Sequence, residues 1–266
     1  MALIVFFIPL FYMKANNEPI KILLVPGHDN EIWGAQYGNI READMNLILA
    51  TRIYNLLLKD DRFKVWITRD AMGYTKEFAD YFFTNREDII SFERDLKKMQ
   101  DQISNGTFVK KTEVRHNKAS EDMALRLYGF NKWADDNEID AVIHIHFNDY
   151  PRKNSWTIGK YKGFTIYVPE AQMVNSKESI KLAKNIFTQL HKKYTPSTYE
   201  KEIGGITPDQ NLIALGSNGT LIKSVKSVLI EYGYIYRFGN SKMRHQAYIN
   251  MADLTVKGVI NYFFGR

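Results

Sequence analysis

The sequence predicts an α/β protein: a mostly parallel, twisted sheet of about six strands with helices on both faces, plus a helical insertion. Three observations carry this. From Lys21 onward, short apolar runs alternate with longer amphipathic ones. The short runs have strand length and end at turn or polar residues. The longer segments repeat their apolar residues at helical spacing.

The elements follow in order. Ile22 to Val25 (ILLV) is a buried strand, stopped by Pro26-Gly27. Asp44 to Lys59 carries Met45, Leu49, Ile53 and Leu56-Leu57 on one helical stripe. Val65 to Thr68 is a second strand, Asp140 to Phe147 (with AVIHIHF) a third and Gly163 to Val168 (GFTIYV) a fourth. Ser176 to Lys193 is a helix with Ile180, Ala183, Phe187 and Leu190 on one stripe. Val228 to Glu231 ends a fifth strand, and Lys242 to Phe264 is the final helix.

Ala71 to Glu121 interrupts this rhythm. Its middle, Asn85 to Gln102, is charged and helix-prone, with a narrow apolar stripe of Ile89, Phe92, Leu96 and Met99. That stripe must be buried, and the charged opposite face suits solvent. We expect a groove wall or a partner-docking helix here, in preference to a plug that offers Glu93 or Asp95 to the site.

Composition narrows the class. Hydrophobic residues make up 45% of 266, with 16 Phe, 16 Tyr and 4 Trp, which excludes disorder as a whole-chain description. There is no Cys, so a disulfide scaffold is excluded and any zinc must use His, Asp or Glu. The net charge of +6 favours a polyanion such as a nucleic acid, an anionic lipid or a bacterial wall polymer. No dense Lys/Arg run marks a nucleic-acid arm, so no nucleic-acid partner is expected. The G-x-S-x-G, phosphate-loop and dinucleotide glycine patterns are missing.

Residues 1–20 stand apart. Ala2 to Met13 (ALIVFFIPLFYM) is unbroken apolar sequence followed by polar KANNEP. It is shorter than the roughly 20 residues that span a bilayer and matches the apolar core of a secretory signal. No positive stretch precedes it and no clear cleavage site follows. The expectation is export or membrane tethering, with possible membrane contact through residues 2–13. The plain alternative is a first buried element of the domain that fills residues 21–266.

Three of the six His fall where an open α/β sheet builds sites, beyond the carboxyl ends of its strands. His28 follows the first strand in VPGHDNE; His144 and His146 end the third. The last two share a strand face. One being a satisfied core His and the other a strand-end cap is the bland reading of that pair. Glu42 opens the first helix and Glu231 ends the fifth strand, so both fit the same crevice. Glu42 also suits a first helical turn for its charge alone. Two His and a carboxylate make a catalytic zinc site, and a further carboxylate can take a proton from water there.

These residues together resemble the zinc-dependent N-acetylmuramoyl-L-alanine amidases of the amidase-3 type. ILLVPGH is similar to the family's strand and Gly-His opening, and READMNL to its Glu followed by Asn-Leu. VWITRD resembles its strand ending in Thr-Arg-Asp, and RLYGFNKWA its helix carrying Arg and Asn. IHIHFN resembles its Ser-Ile-His-x-Asn segment, and VLIEYGYI its Val-Leu-x-Glu-x-Gly-Phe-Ile. The resemblance implies one zinc per chain held by His28, Glu42 and His146, with Glu231 as the catalytic carboxylate and Asn148 at the substrate. It makes residues 21–266 the amidase catalytic domain, with the helical insertion within 71–121. It implies a hydrolase that cuts the amide between N-acetylmuramic acid and L-alanine of the peptidoglycan stem peptide, in the periplasm or at the cell surface. A regulatory protein partner at 71–121 is a further expectation. Another zinc peptidase or amidohydrolase on this scaffold, or a non-catalytic wall-binding module, is the alternative. The sequence departs from the pattern at Asp29-Asn30, where the family has Gly, at His144, where it has Ser, and in YIYRFGN after Glu231.

Overall fold

The computed structural model describes residues 18–103, 114, 116, 118–216 and 219–265. The apolar segment Ala2 to Met13 lies outside the described residues, and so does the side chain of Met99. In chain order the elements are β1 (Ile20–Pro26), β2 (Gln36–Tyr37), β3 (Ile40–Arg41), α1 (Glu42–Leu57) and β4 (Phe63–Ile67). Next come α2 (Lys76–Thr84), α3 (Arg86–Ile103), α4 (Glu121–Asp136), β5 (Ala141–Asn148), β6 (Thr165–Pro169) and α5 (Ser176–Leu190). The chain closes with β7 (Ile206–Asp209), β8 (Lys226–Tyr234) and α6 (Ser241–Phe264).

Six strands form one sheet in the order β4-β1-β5-β8-β6-β7, and β2-β3 is a small separate hairpin. β4, β1, β5 and β8 run parallel. β6 runs against β8, and β7 runs parallel to β6. The α/β architecture with a mostly parallel sheet is therefore as expected. The sequence pattern did not show β7 or α2. β7 has four residues, sits at the edge and contains Pro208, which only an edge strand tolerates easily.

Helices cover both faces. Ile22, Leu24, Ile143, Ile145, Val228 and Ile230 point to one side and pack under α1, α5 and α6. Leu23, Val25 and Val142 point to the other, against Phe78 of α2 and Phe130 and Trp133 of α4. Burial on both sides is why β1 and β5 read as continuous apolar runs without alternation. In α3, Ile89 and Leu96 are buried and Phe92 half-buried, packed on Tyr128, Ala124 and Leu125 of α4. α3 is thus a second helical layer outside α4, while α2 packs on the sheet through Phe78. No described helix is long and apolar enough to cross a membrane.

Candidate metal centre and active site

β1 delivers His28 one residue beyond Gly27, at a φ of 61°. A side chain is rarely held in that left-handed region, which costs about 1–3 kcal/mol unless the surroundings enforce it. Here Asp29 enforces it. Its Oδ1 accepts the backbone N–H groups of Glu31 at 2.9 Å and Ile32 at 2.8 Å. Its Oδ2 accepts Tyr74 Oη at 3.0 Å and the Arg126 guanidinium. Burial works against the Asp29 charge, but these donors hold its carboxyl below the ordinary range. The Asp that departs from the family pattern is thereby tied to the Arg of α4, which the sequence reading had placed without a role.

α1 begins with Glu42, which is buried. Its Oε2 lies 3.1 Å from His28 Nε2 and its Oε1 3.0 Å from His146 Nδ1. The same carboxylate accepts the backbone N–H of Ala35 at 2.9 Å and of Phe147 at 3.3 Å. Asn46, one turn along α1, bonds the Gly27 carbonyl at 2.9 Å and reaches Glu42 Oε1 at 3.4 Å. Burial opposes the charge on Glu42, yet the two imidazoles and these donors hold its carboxyl far below the usual range. His28 is raised, because Glu42 beside it outweighs its burial; burial and the neighbouring charges of His28 and Arg69 hold His146 down despite Glu42. Ligand atoms of His28, Glu42 and His146 all lie within 4.8 Å of one another.

The frame around this cluster leaves little slack. A Cβ on Gly27 would stand 2.1 Å from His146 Cε1, so only glycine lets the ring lie over the end of β1. Arg69, itself buried, donates to the carbonyls of Pro26 at 3.2 Å, Gly27 at 3.2 Å and Ala43 at 2.7 Å. It binds the end of β1 to the start of α1, the two places that supply His28 and Glu42.

Glu231 on β8 is the register partner of His146 on β5. Its Oε2 is buried without a hydrogen-bond partner. Burial, then the charges of Glu42 and Glu202, raise its carboxyl well above the ordinary range. His144 lies one strand repeat inward, 1% exposed, with neither ring nitrogen hydrogen-bonded. Burial, then His146, push His144 down to about 3, so the ring is neutral near neutral pH. The backbone of Ala214 beside it works weakly the other way, and Ala214 O also accepts Ser227 Oγ at 2.8 Å. His144 stands outside the His–Glu–His cluster.

All five residues open into one cleft of about 1180 Å³ at the carboxyl ends of β1, β5 and β8. Its walls come from Trp33 and Tyr74 on one side and Tyr150 and Tyr199 on another, with Val114, His116 and Lys118 ahead of α4. No described residue of α3, Glu93 and Asp95 included, lines it. The antiparallel turn of β6 brings Thr165 opposite Glu231, and with it Tyr167 into the wall. The sequence pattern gives no sign of two buried carboxylates here, Glu202 in the cleft wall and Asp209 behind His116. Glu202 sits in a short 3-10 turn (Glu200–Glu202), and Asp209 at the end of β7 lies 2.8 Å from His116 Nε2. Neither belongs to an apolar run, so periodicity gave no signal for them.

Solved structures share this fold. An N-acetylmuramoyl-L-alanine amidase from Clostridium difficile 630 has a similar structure, with 17% identity, 94% of this chain and 99% of that chain covered, and a TM-score of 0.59. The CwlD amidase from Clostridioides difficile, solved in complex with the GerS lipoprotein, gives 17% identity, 93% and 100% coverage, and 0.58. The amidase Ami1 from Mycobacterium smegmatis gives 15%, 95% and 100%, and 0.59. At such identities the likeness shows the fold. No curated protein matches by sequence. The family signature itself matches residues 22–261, nearly the whole described domain, and the chain therefore belongs to the N-acetylmuramoyl-L-alanine amidase family of the amidase-3 type.

Proposed function

We propose that the protein is a zinc-dependent hydrolase that cuts the amide between N-acetylmuramic acid and L-alanine of the peptidoglycan stem peptide. One observation carries this reading: His28, Glu42 and His146 converge in a cleft that also holds the unpartnered carboxylate oxygen of Glu231. Two imidazoles and one carboxylate, with no thiolate, suit a catalytic zinc. His28, Glu42 and His146 would hold one ion per chain. When bound, zinc supplies Lewis-acid activation of water and of an amide carbonyl at neutral pH.

The chain's own residues do the rest. Ala35 and Phe147 fix the Glu42 carboxylate through their N–H groups, so it keeps one orientation between the two imidazoles. Glu231 accepts the attacking water's proton at its free oxygen and returns it to the departing amine of L-alanine. Asn148 stands in the cleft wall beside His146 and contacts the substrate. The net charge of +6 favours an anionic wall polymer.

The same reading places the protein in the periplasm or at the cell surface, with residues 2–13 as signal or tether. The layer of α2 and α3 is the surface we assign to a regulatory partner. In support, the structurally similar CwlD was solved with the GerS lipoprotein, and α3 stays clear of the cleft.

Digestion of purified peptidoglycan by the zinc-loaded protein tests the reading. Free L-alanine amino termini on intact stem peptides are expected. A different new terminus would identify another zinc amidohydrolase, and binding without cleavage a wall-binding module.

A further inference from the structure

We infer that Glu202 is a positioning residue that fixes the Asn148 amide with its carbonyl oxygen toward the cleft, as acceptor for a substrate amide N–H beside the scissile bond. This deepens the amidase reading and rests on it.

Glu202 is 1% exposed. Among the described residues it forms no ion pair; four neutral donors surround it instead. Asn148 Nδ2 at 2.9 Å and Tyr167 Oη at 2.6 Å reach its Oε1. Ser197 Oγ at 2.5 Å and Tyr234 Oη at 3.1 Å reach its Oε2. A buried carboxylate is costly unless such donors satisfy it. This one joins β5, β6, β8 and the loop that holds Ser197, and Asn148, Tyr167 and Glu202 themselves line the cleft.

A carboxylate only accepts hydrogen bonds. Asn148 must therefore turn its NH₂ to Glu202, which directs Oδ1 away from that carboxylate as its free acceptor, with the second N–H of the amide beside it. No described residue donates to that oxygen, and Asn148 is half-buried in the cleft wall. The β5–β8 register shifts between His146 and Asn148. Such an irregularity re-aims a side chain, here two residues beyond a member of the metal cluster. An acceptor at that place reads an N–H. In a muramoyl peptide, amide N–H groups flank the bond to be cut on both sides.

The test uses the full chain and N-acetylmuramoyl-L-alanyl-D-isoglutamine as probe. Affinity is measured by calorimetry in a Glu231→Gln background, and kcat and KM in the zinc-loaded protein with Glu231 intact. Zinc content and melting temperature are recorded for every variant. Asn148→Asp sets two carboxylates face to face and should weaken binding about tenfold or more. Asn148→Asp combined with Glu202→Gln lets the Gln NH₂ bond one Asp oxygen and leaves the other as acceptor. Gln Oε1 still accepts from Ser197 and Tyr234, and Tyr167 Oη turns to accept the second Gln N–H. This pair should recover affinity and KM to within about threefold of the parent.

If the pair stays as weak as Asn148→Asp alone, the group facing substrate is a donor and the inference fails. It fails also if Asn148→Asp binds like the parent, or if the pair regains melting temperature without affinity, which would make Glu202 merely structural. If the wild-type chain neither binds nor cleaves the probe, the amidase reading falls and takes this inference with it. Binding and cleavage without coupling between the two positions overturns the inference alone.

Discussion

His146 and Glu231 face each other across the β5–β8 pair as register partners. One belongs to the His–Glu–His cluster and the other carries a buried oxygen without a partner. Directly paired residues in adjacent strands share a sheet face. Their separation is therefore set by the hydrogen-bond ladder of two central strands, the most rigid spacing the fold offers, and no loop needs to close to bring them together.

Glu231→Gln should keep metal and fold while turnover falls about 10²–10⁴-fold, because Gln cannot take a proton. It should also raise the melting temperature of the metal-free protein. The folded-state affinity of Glu231 for a proton is raised. Such a group destabilises the fold increasingly as pH rises above the ordinary carboxylate range. The gain from Gln should thus be present at neutral pH and vanish below about pH 4. Melting curves across pH check this; no gain at neutral pH would mean that Glu231 is already satisfied.

Gly27→Ala should fold but hold zinc at least about tenfold more weakly, since the new methyl would fall on the His146 ring. His28→Ala and His146→Ala should lose bound metal and hydrolysis together. Elemental analysis after dialysis reads all three. Full occupancy in the His variants would remove these residues from the site.

Arg69→Met should cost about 2–4 kcal/mol in urea unfolding, because it strips donors from three carbonyls. The loss should be accompanied by weaker metal binding, as the ends of β1 and α1 come apart. A variant with unchanged metal affinity would show that Arg69 supports the fold alone.

Ile89→Ala should destabilise the protein by about 2–4 kcal/mol, since Ile89 is fully buried between α3 and α4. Hydrolysis by the folded variant should not rise. A large rise on loosening α3 would reveal a plug where the structure shows an outer layer.

Much of this was legible in the sequence because strand ends are punctuated. Pro26-Gly27 closes an apolar run and places His28; the alternating His of IHIH mark a single strand face. Glu42 stands at an element boundary and Glu231 after an apolar run, where a charge is conspicuous, although β8 does not end there as the sequence suggests but continues through Tyr232 and Gly233 to Tyr234. What stayed hidden depends on contacts between distant segments. Glu202 and Asp209 lie in a turn and an edge strand whose local pattern resembles any polar loop. That β6 runs against β8 also left no trace, since an apolar strand of five buried residues reads the same in either direction. The role of Asp29 appeared only with Arg126, 97 positions away.

That reversal of β6 has an evolutionary reading. Because β6 and β7 both start at the rim beside Glu231, the stretches 149–164 and 191–205 meet the cleft, which Tyr150, Tyr199 and Glu202 line, and Glu202 ties the second stretch to β5, β6 and β8. The His–Glu–His cluster and Glu231 are carried by other segments: the end of β1, α1, β5 and β8. The chain thus keeps its reacting groups and much of its substrate wall in separately heritable blocks. Length changes within 149–164 would give the cleft a different wall, while β1, α1, β5 and β8 keep His28, Glu42, His146 and Glu231 in place.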